Sequence, residues 1–313
     1  MAAAYALTFG WNFFAPRTRP KSYNLQIAER LKAHVRMLSE EIGERDLEYY
    51  PKLAQAADYI TKQLESYGYA VKLQKYTLQD KLVENIIARK NGSGAPNKVI
   101  IAGAHYDTVV TPGADDNASG VAAVLELARV LKNRPTVNSI EFCFFTNEEE
   151  PFFKTAAMGS QVFIRQAKAE GEDIKAAVMF DMIGYYTDKV NSQRYFPVIT
   201  GLFLPNRGNF ISVSSNSGSR DLSAFLIKSF QRNSRFPIVL LSTNFDPAID
   251  FSDHWSFWKA GYPAVMVGDT VFLRNNTYHT SADTWNTLDF ESMACVVEGF
   301  STSLTDLANR QKG

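Results

Sequence analysis

An α/β domain, three layers deep, with a mostly parallel mixed central sheet and helices on both faces, is what this sequence predicts. Three observations carry that prediction. From residue 97 onward, short apolar strand-like runs alternate with helical patterns, as they do in βαβ units. Acidic and imidazole side chains follow several of those runs, where an open sheet gathers its binding loops along one rim. The chain has 313 residues with 45% apolar content, enough for one large core, and neither an internal repeat nor a flexible linker divides it. Residues 23–313 are therefore read as a single domain, with a substrate-pocket excursion around 190–220.

The opening segment, MAAAYALTFGWNFFAPRTRPK, leaves several readings open: an arm packed on the domain, a clipped membrane anchor, or a contact with a partner chain. Its apolar stretch is shorter than the ~20 residues a bilayer span needs. It also lacks the basic start of a cleavable signal, since Arg17, Arg19 and Lys21 come afterwards. Cytoplasmic and extracytoplasmic locations both stay open, and membrane association would run through this segment.

Residues 23–42 read as a helix, with Leu25, Ile27, Leu31, Val35 and Leu38 forming a broken apolar face. A second helix, Leu53 to Tyr67, carries Ala54, Ala57, Ile60 and Leu64 at helical spacing. GYAVKLQKYTL and LVENIIARK read as paired strands, NGSGAPN as a turn, and KVIIAGA as a buried strand. After TPGADDNASG comes the periodic helix VAAVLELARVLKN, then the strand SIEFCFF, the helix QVFIRQAKAE and the strand AAVMFDMIGYY. Residues 190–220 are rich in Gly, Asn, Ser and aromatics, and long loops of this kind tend to carry binding function. Tyr195, Phe196, Phe203 and Phe210 are its candidate pocket residues. DLSAFLIKSFQRN is a helix, PAIDFSDHWSFWKAG leads into the strand YPAVMV, and a helix over 290–308 closes the chain.

Composition excludes some classes of function. Lys plus Arg and Asp plus Glu both number 33, and no basic stripe stands out, which argues against nucleic acid as the main partner. Cys143 lies in an apolar run and Cys295 in a helical pattern, so two buried thiols are expected and no disulfide framework.

Six residues set the chemistry: His105, Asp116, Glu148, Glu149, Asp181 and His279. Two imidazoles and four carboxylates on one rim suit a pair of divalent cations, with one carboxylate left over as a base. His105 and Asp107 stand two apart at a strand end, so both can project to one side. A metal-bound imidazole usually donates its other N–H to a carboxylate, and Asp107 is the candidate. Asp115 reads equally well as a helix cap, whereas the two oxygens of Asp116 can bridge two cations. Asn117-Ala118-Ser119 matches a glycosylation acceptor, but a glycan there would fill the site. Adjacent acids in a non-helical segment point different ways, so one of the Glu148–Glu150 run can hold metal while its neighbour faces a water. Asp181 ends an apolar run, and a charge buried there needs a partner. Of the four histidines only His34 falls outside these motifs, as an ordinary helix residue. The His-Glu-x-x-His, Gly-x-Ser-x-Gly and Gly-rich phosphate signatures are absent.

Taken in order, AHYDT, PGADDNASGVAAVLELAR, FTNEEE, MFDMIGYY, SDHWSFWKAGYPA and YHTSADT resemble the co-catalytic zinc aminopeptidases of family M28, from about residue 45 to the C-terminus. The resemblance implies a zinc-exopeptidase-like fold and two Zn²⁺ ions per chain. It puts His105 and Asp181 on one ion, Glu149 and His279 on the other, and Asp116 between them. Glu148 becomes the general base, and Asp107 the carboxylate behind His105. Glu150 makes the register ambiguous, but Asn147 and Met158-Gly159-Ser160 favour the earlier pair. A cis peptide is expected after Asp116. Asp253 and His254 are expected at the same rim, in supporting or substrate-binding roles. The activity implied is hydrolysis of the first peptide bond of peptides with a free N-terminus, by a zinc-activated water. Rival readings are a one-zinc glutaminyl-peptide cyclase, a carboxypeptidase-type relative using Arg207 or Arg220, and a non-catalytic binding module. The complete ligand set disfavours the last.

Overall fold

Side chains alternate along the central strands, and that alternation feeds two separate cores. The computed structural model describes residues 23–95, 98–195, 204–242 and 250–310. Its eight strands are β1 (Val71–Leu78), β2 (Lys81–Lys90), β3 (Lys98–His105), β4 (Ser139–Phe145), β5 (Asp173–Phe180), β6 (Ile211–Ser215), β7 (Ile238–Ser242) and β8 (Ala264–Gly268). They form one sheet in the order β1-β2-β4-β3-β5-β8-β6-β7. The central four, β4, β3, β5 and β8, run parallel, while β2 and β6 pair antiparallel to their outer members.

Helices cover both faces: α1 (Leu25–Arg36), α2 (Tyr50–Ser66), α3 (Gly120–Leu131), α4 (Gly159–Ala169), α5 (Arg220–Asn233), α6 (His254–Lys259) and α7 (Phe290–Ala308). Ile100, Ala102, Ile140, Phe142, Phe144 and Val178 point into the larger core with α1, α2, α3, α5 and α7. Their strand neighbours Val99, Ile101, Cys143, Phe145, Ala177 and Met179 point the other way, against Phe163 of α4 and Phe257 of α6. Full burial on both sides is why these strands read as continuous apolar runs. The chain leaves β3 through α3 to reach β4 on one side, then crosses back through α4 to β5 on the other. The carboxyl ends of three neighbouring parallel strands thus meet where the winding reverses, the usual place for a binding crevice.

Local signals explain the helix limits. Asn24 caps α1 by accepting from the Ile27 N–H at 3.2 Å, and Asp289 caps α7 by accepting from the Ser292 N–H at 2.9 Å. Pro51 lies in the first turn of α2. The buried stripe of α2 is Leu53, Ala56, Ala57, Ile60 and Leu64, with Ala54 outside it.

Four sequence expectations need adjustment. The first helix continues past Arg36 as a π-helical stretch, Met37–Ile42. The strand AAVMFDMIGYY stops at Phe180, and the chain beyond it is irregular. The 190–220 excursion contains a sheet strand, β6, and β7 was not anticipated. Tyr195 and Phe210 are buried with Leu241 in a small core of their own, whereas Phe196, Phe203 and the 1–22 arm lie outside the described residues. Among the described residues no helix is long and apolar enough to cross a membrane. Both cysteines are buried and free.

Candidate metal centre

The two imidazoles, more than 170 positions apart, reach opposite oxygens of one carboxylate. His105 Nε2 is 3.3 Å from Asp116 Oδ1, and His279 Nε2 is 3.1 Å from Asp116 Oδ2. Asp181 Oδ1 lies 3.6 Å from His105 Nε2, and Glu149 Oε2 lies 3.3 Å from His279 Nε2. Three groups of side chains come close enough to hold a cation: His105–Asp116–Asp181 and Asp116–Glu149–His279, which share Asp116, and His105–Glu148–Glu149. Glu148 is the remaining carboxylate, its Oε2 4.0 Å from His105 Nε2. His105 ends β3, Glu148 and Glu149 follow β4, and Asp181 follows β5, so the strand ends supply most of the cluster.

Backbone geometry aims these side chains. Asn147, Met182 and His279 all adopt positive φ, an unusual choice for residues with a Cβ. Each such residue costs of order 1–3 kcal/mol and persists only where its surroundings over-determine it. Two carboxylates behind the cluster hold the backbone beside its ligands. Asp107 accepts the Glu148 N–H at 3.2 Å on one oxygen and the Glu149 N–H at 3.1 Å on the other. Asp283 accepts the Asp115 and Asp116 N–H groups at 2.8 and 3.1 Å in the same manner. The peptide between Asp116 and Asn117 is cis, as expected, and so is Glu150–Pro151.

Asp107 stands behind His105, its Oδ1 3.6 Å from Nδ1 at ion-pair distance, and it also accepts from the backbone of both glutamates. Asp115 does not cap the helix. Its oxygens accept from Gly184 N–H at 2.9 Å and Asn275 Nδ2 at 2.8 Å, tying three loops together. Asn117 is buried, accepting from Gly120 and Met182 N–H and donating to the Phe180 carbonyl, which leaves no access for a glycan. His254 is buried, meets Trp258 edge-on at 4.4 Å and does not line the cavity over the cluster. Burial pushes the carboxyl of buried Asp253 up to about 7, opposed by the positive charge of His105 and by Ser160.

The electrostatics are those of a cation site. Burial alone would lower the His105 pKa, but the Glu148 charge and the contacts with Asp107, Asp116 and Asp181 raise it well above the usual imidazole value. Burial likewise opposes His279, and Asp116 and Glu149 raise it to about 10. Burial pushes Glu149 up to about 8 and Glu148 well above the carboxylate range, with neighbouring carboxylates adding to the rise and the imidazoles opposing it. So many acids can be buried together only if something positive is shared among them. Among the described residues the buried Oε1 of Glu149 meets no hydrogen-bond partner, which is the orphan a cation would satisfy. Imidazole nitrogens with carboxylate oxygens are also a donor set zinc accepts. The residues present fit the metal.

A cavity of about 190 Å³ opens over the cluster. Its apolar wall is Phe153, Met182, Phe251, Val271 and Tyr278, and the Tyr278 ring stacks on His279 at 3.7 Å. Sequence reasoning placed the pocket in the 190–220 excursion and missed this wall, although Phe153 and Tyr278 sit beside recognised motifs.

Comparison with known proteins agrees with this geometry. The model of peptidase family M28 matches residues 85–302. A curated relative, the uncharacterized protein YfbL of Escherichia coli (strain K12), is 36% identical over 88% of this chain and 87% of its own length. A probable leucine aminopeptidase of Trichophyton verrucosum (strain HKI 0517) is 29% identical over 96% of this chain and 83% of its own. The fold is shared with a zinc aminopeptidase from Bacillus subtilis at a TM-score of 0.72 and 15% identity, covering 94% of this chain and 98% of that one. A glutaminyl cyclase of Bacteroides thetaiotaomicron shares it too, at 0.67 and 19%, covering 94% and 100%. With the family model matching most of the chain and a full-length relative above one-third identity, this protein belongs to peptidase family M28 and is a metal-dependent peptidase.

Proposed function

We propose that the protein is a zinc aminopeptidase that removes the first residue of peptides with a free N-terminus, using two Zn²⁺ ions held by His105, Asp116, Glu149, Asp181 and His279. The observation that carries this reading is the division of Asp116 between the two imidazoles, 3.3 Å to one and 3.1 Å to the other. A single ion would use only one of the two groups that share Asp116. When bound, zinc supplies positive charge that polarises a carbonyl and acidifies water.

The chain's own residues supply the rest. Glu148 lines the cavity and groups with His105 and Glu149 but not with Asp116, the carboxylate shared by the two proposed sites, and its proposed role is proton transfer. It takes a proton from the water that attacks the carbonyl carbon and delivers it to the departing amine as the C–N bond breaks. Asp107 holds the backbone of Glu148 and Glu149, so base and ligand keep a fixed relative orientation. The substrate's α-amine, neutral in part near pH ~8, can sit against the remaining carboxylates. Phe153, Phe251, Val271 and Tyr278 offer an apolar surface for the first side chain.

The test is a panel of aminoacyl-anilides with N-blocked controls, each assayed with and without chelator. Chelator-sensitive cleavage of free-amine substrates, best for apolar residues, is expected. Cleavage of the blocked controls would remove the aminopeptidase reading, and a metal content of one zinc per chain would favour the cyclase alternative.

A further inference from the structure

We propose that Arg45 is a positioning residue for the metal centre: its buried guanidinium ties the loop after His105 to the loop before Asp116 and thereby sets the spacing of their ligands. The proposal rests on the zinc reading above.

Arg45 is 0% exposed, yet all its side-chain bonds run to backbone carbonyls. Nε donates to Tyr106 O at 2.7 Å, next to His105. Nη1 donates to Pro112 O at 2.8 Å and Nη2 to Gly113 O at 2.9 Å, on the turn that enters Asp116. Further bonds of 3.2 Å reach Leu38 O and Gly43 O, anchoring the same group to the helical segment behind. The Arg45 backbone exchanges hydrogen bonds with Thr108, its N–H to Thr108 Oγ1 at 2.9 Å and its O from Thr108 N–H at 3.1 Å. One side chain therefore bridges both ligand-bearing loops.

The contact is close. Gly113 has φ +61°, and a Cβ there would come within 2.2 Å of Thr108 Cγ2 and 3.2 Å of Arg45 Nη2. Even with burial pulling its pKa down to about 10, the guanidinium stays charged at neutral pH, helped by Asp107, Asp283, Asp116 and Glu149. A fixed cation thus stands behind the carboxylates that the metal must share. Lysine would supply the charge but not a planar fork able to reach carbonyls in two loops.

Full-length R45K is the test, read by zinc affinity in chelator competition and by the visible spectrum of the cobalt-substituted protein. A folded R45K should bind zinc about tenfold or more weakly, as loss of an outer support does elsewhere, with a shifted cobalt spectrum. Its kcat should fall while KM holds. A folded R45K with wild-type zinc affinity and an unshifted spectrum overturns the proposal. Should R45K fail to fold, Thr108→Val loosens the same anchor; wild-type zinc affinity there, or failure of both variants to fold, makes Arg45 a folding residue only. If the wild-type chain itself takes up no zinc, the metal reading fails first, and that outcome is distinct.

Discussion

Two neighbouring glutamates with the same side chain meet different surroundings. Glu149 faces His279 at 3.3 Å and groups with it and Asp116, whereas Glu148 lies 4.0 Å from His105 and groups only with His105 and Glu149. Asp107 enforces the difference by holding one backbone N–H of each, so the two carboxylates leave the chain at fixed angles. Glu148→Gln keeps the shape and removes the proton acceptor. That variant should hold zinc as the wild type does and lose about 10²–10⁴ in kcat, the range general-base removal spans. Metal analysis beside anilide turnover checks both halves, and retained turnover would return the base to another residue. Glu149→Gln is the contrast, because it should lose metal as well as rate.

Strands that end at a ligand were legible in the sequence, because burial on both faces leaves an unbroken apolar run that stops at a polar residue. KVIIAGA ends at His105 and SIEFCFF leads to Glu148, each within a residue or so of the observed strand. The same logic fails where strands are short or polar. ISVSS is β6 yet reads as loop, since its serines are satisfied inside, as Ser212 Oγ donating to Gly268 O at 2.7 Å illustrates. Arg45 and the apolar wall were not legible because tertiary contacts, not local pattern, give them meaning. Two predictions belong to this scale. Gly120 opens α3 where a Cβ would lie 2.3 Å from both Phe180 O and Asn117 Oδ1. Gly120→Ala must therefore push α3 away from the end of β5, at about 1–3 kcal/mol by the usual cost of overpacking. Thermal melting should fall by several degrees, and an unchanged melt would contradict this packing. At the β2–β4 pair, burial pushes Glu141 from 4.5 up to about 7, opposed by Arg89 3.2 Å away. The folded state holds the proton more tightly than the unfolded chain, so this group's contribution is complete below pH 4.5 and is lost as pH rises through about 7. Glu141→Gln carries no such proton. Its melting temperature relative to wild type should climb between pH 4.5 and 7 and be flat on either side. A difference that does not vary with pH would rule out the buried titration.

Across the whole molecule, the metal centre joins parts of the chain that the sheet alone does not. His105, Glu149 and Asp181 are fixed by neighbouring strands, but His279 comes from a loop beyond β8 and Asp116 from the turn before α3. Asp283 and Asp115 link those pieces through backbone and Asn275 contacts, and a shared cation would complete the link. Without it, carboxylates buried at 4–8% exposure face one another around two imidazoles, with the Arg45 charge acting on Asp116 and Glu149. Because an unfolded chain cannot assemble these ligands, zinc binds the native state almost alone and adds RT ln(1 + [Zn]/Kd), about 2.7 kcal/mol at a hundredfold excess over Kd. Chelation should therefore lower the melting temperature by several degrees, and added zinc should restore it in a concentration-dependent way. The loss should be local in hydrogen exchange, with faster exchange around residues 113–119 and 275–283 and unchanged protection in β3, β4 and β5. Those strands are held by two apolar cores that owe nothing to the ion. Uniform loss of protection across the sheet would mean instead that the metal is needed for the fold itself.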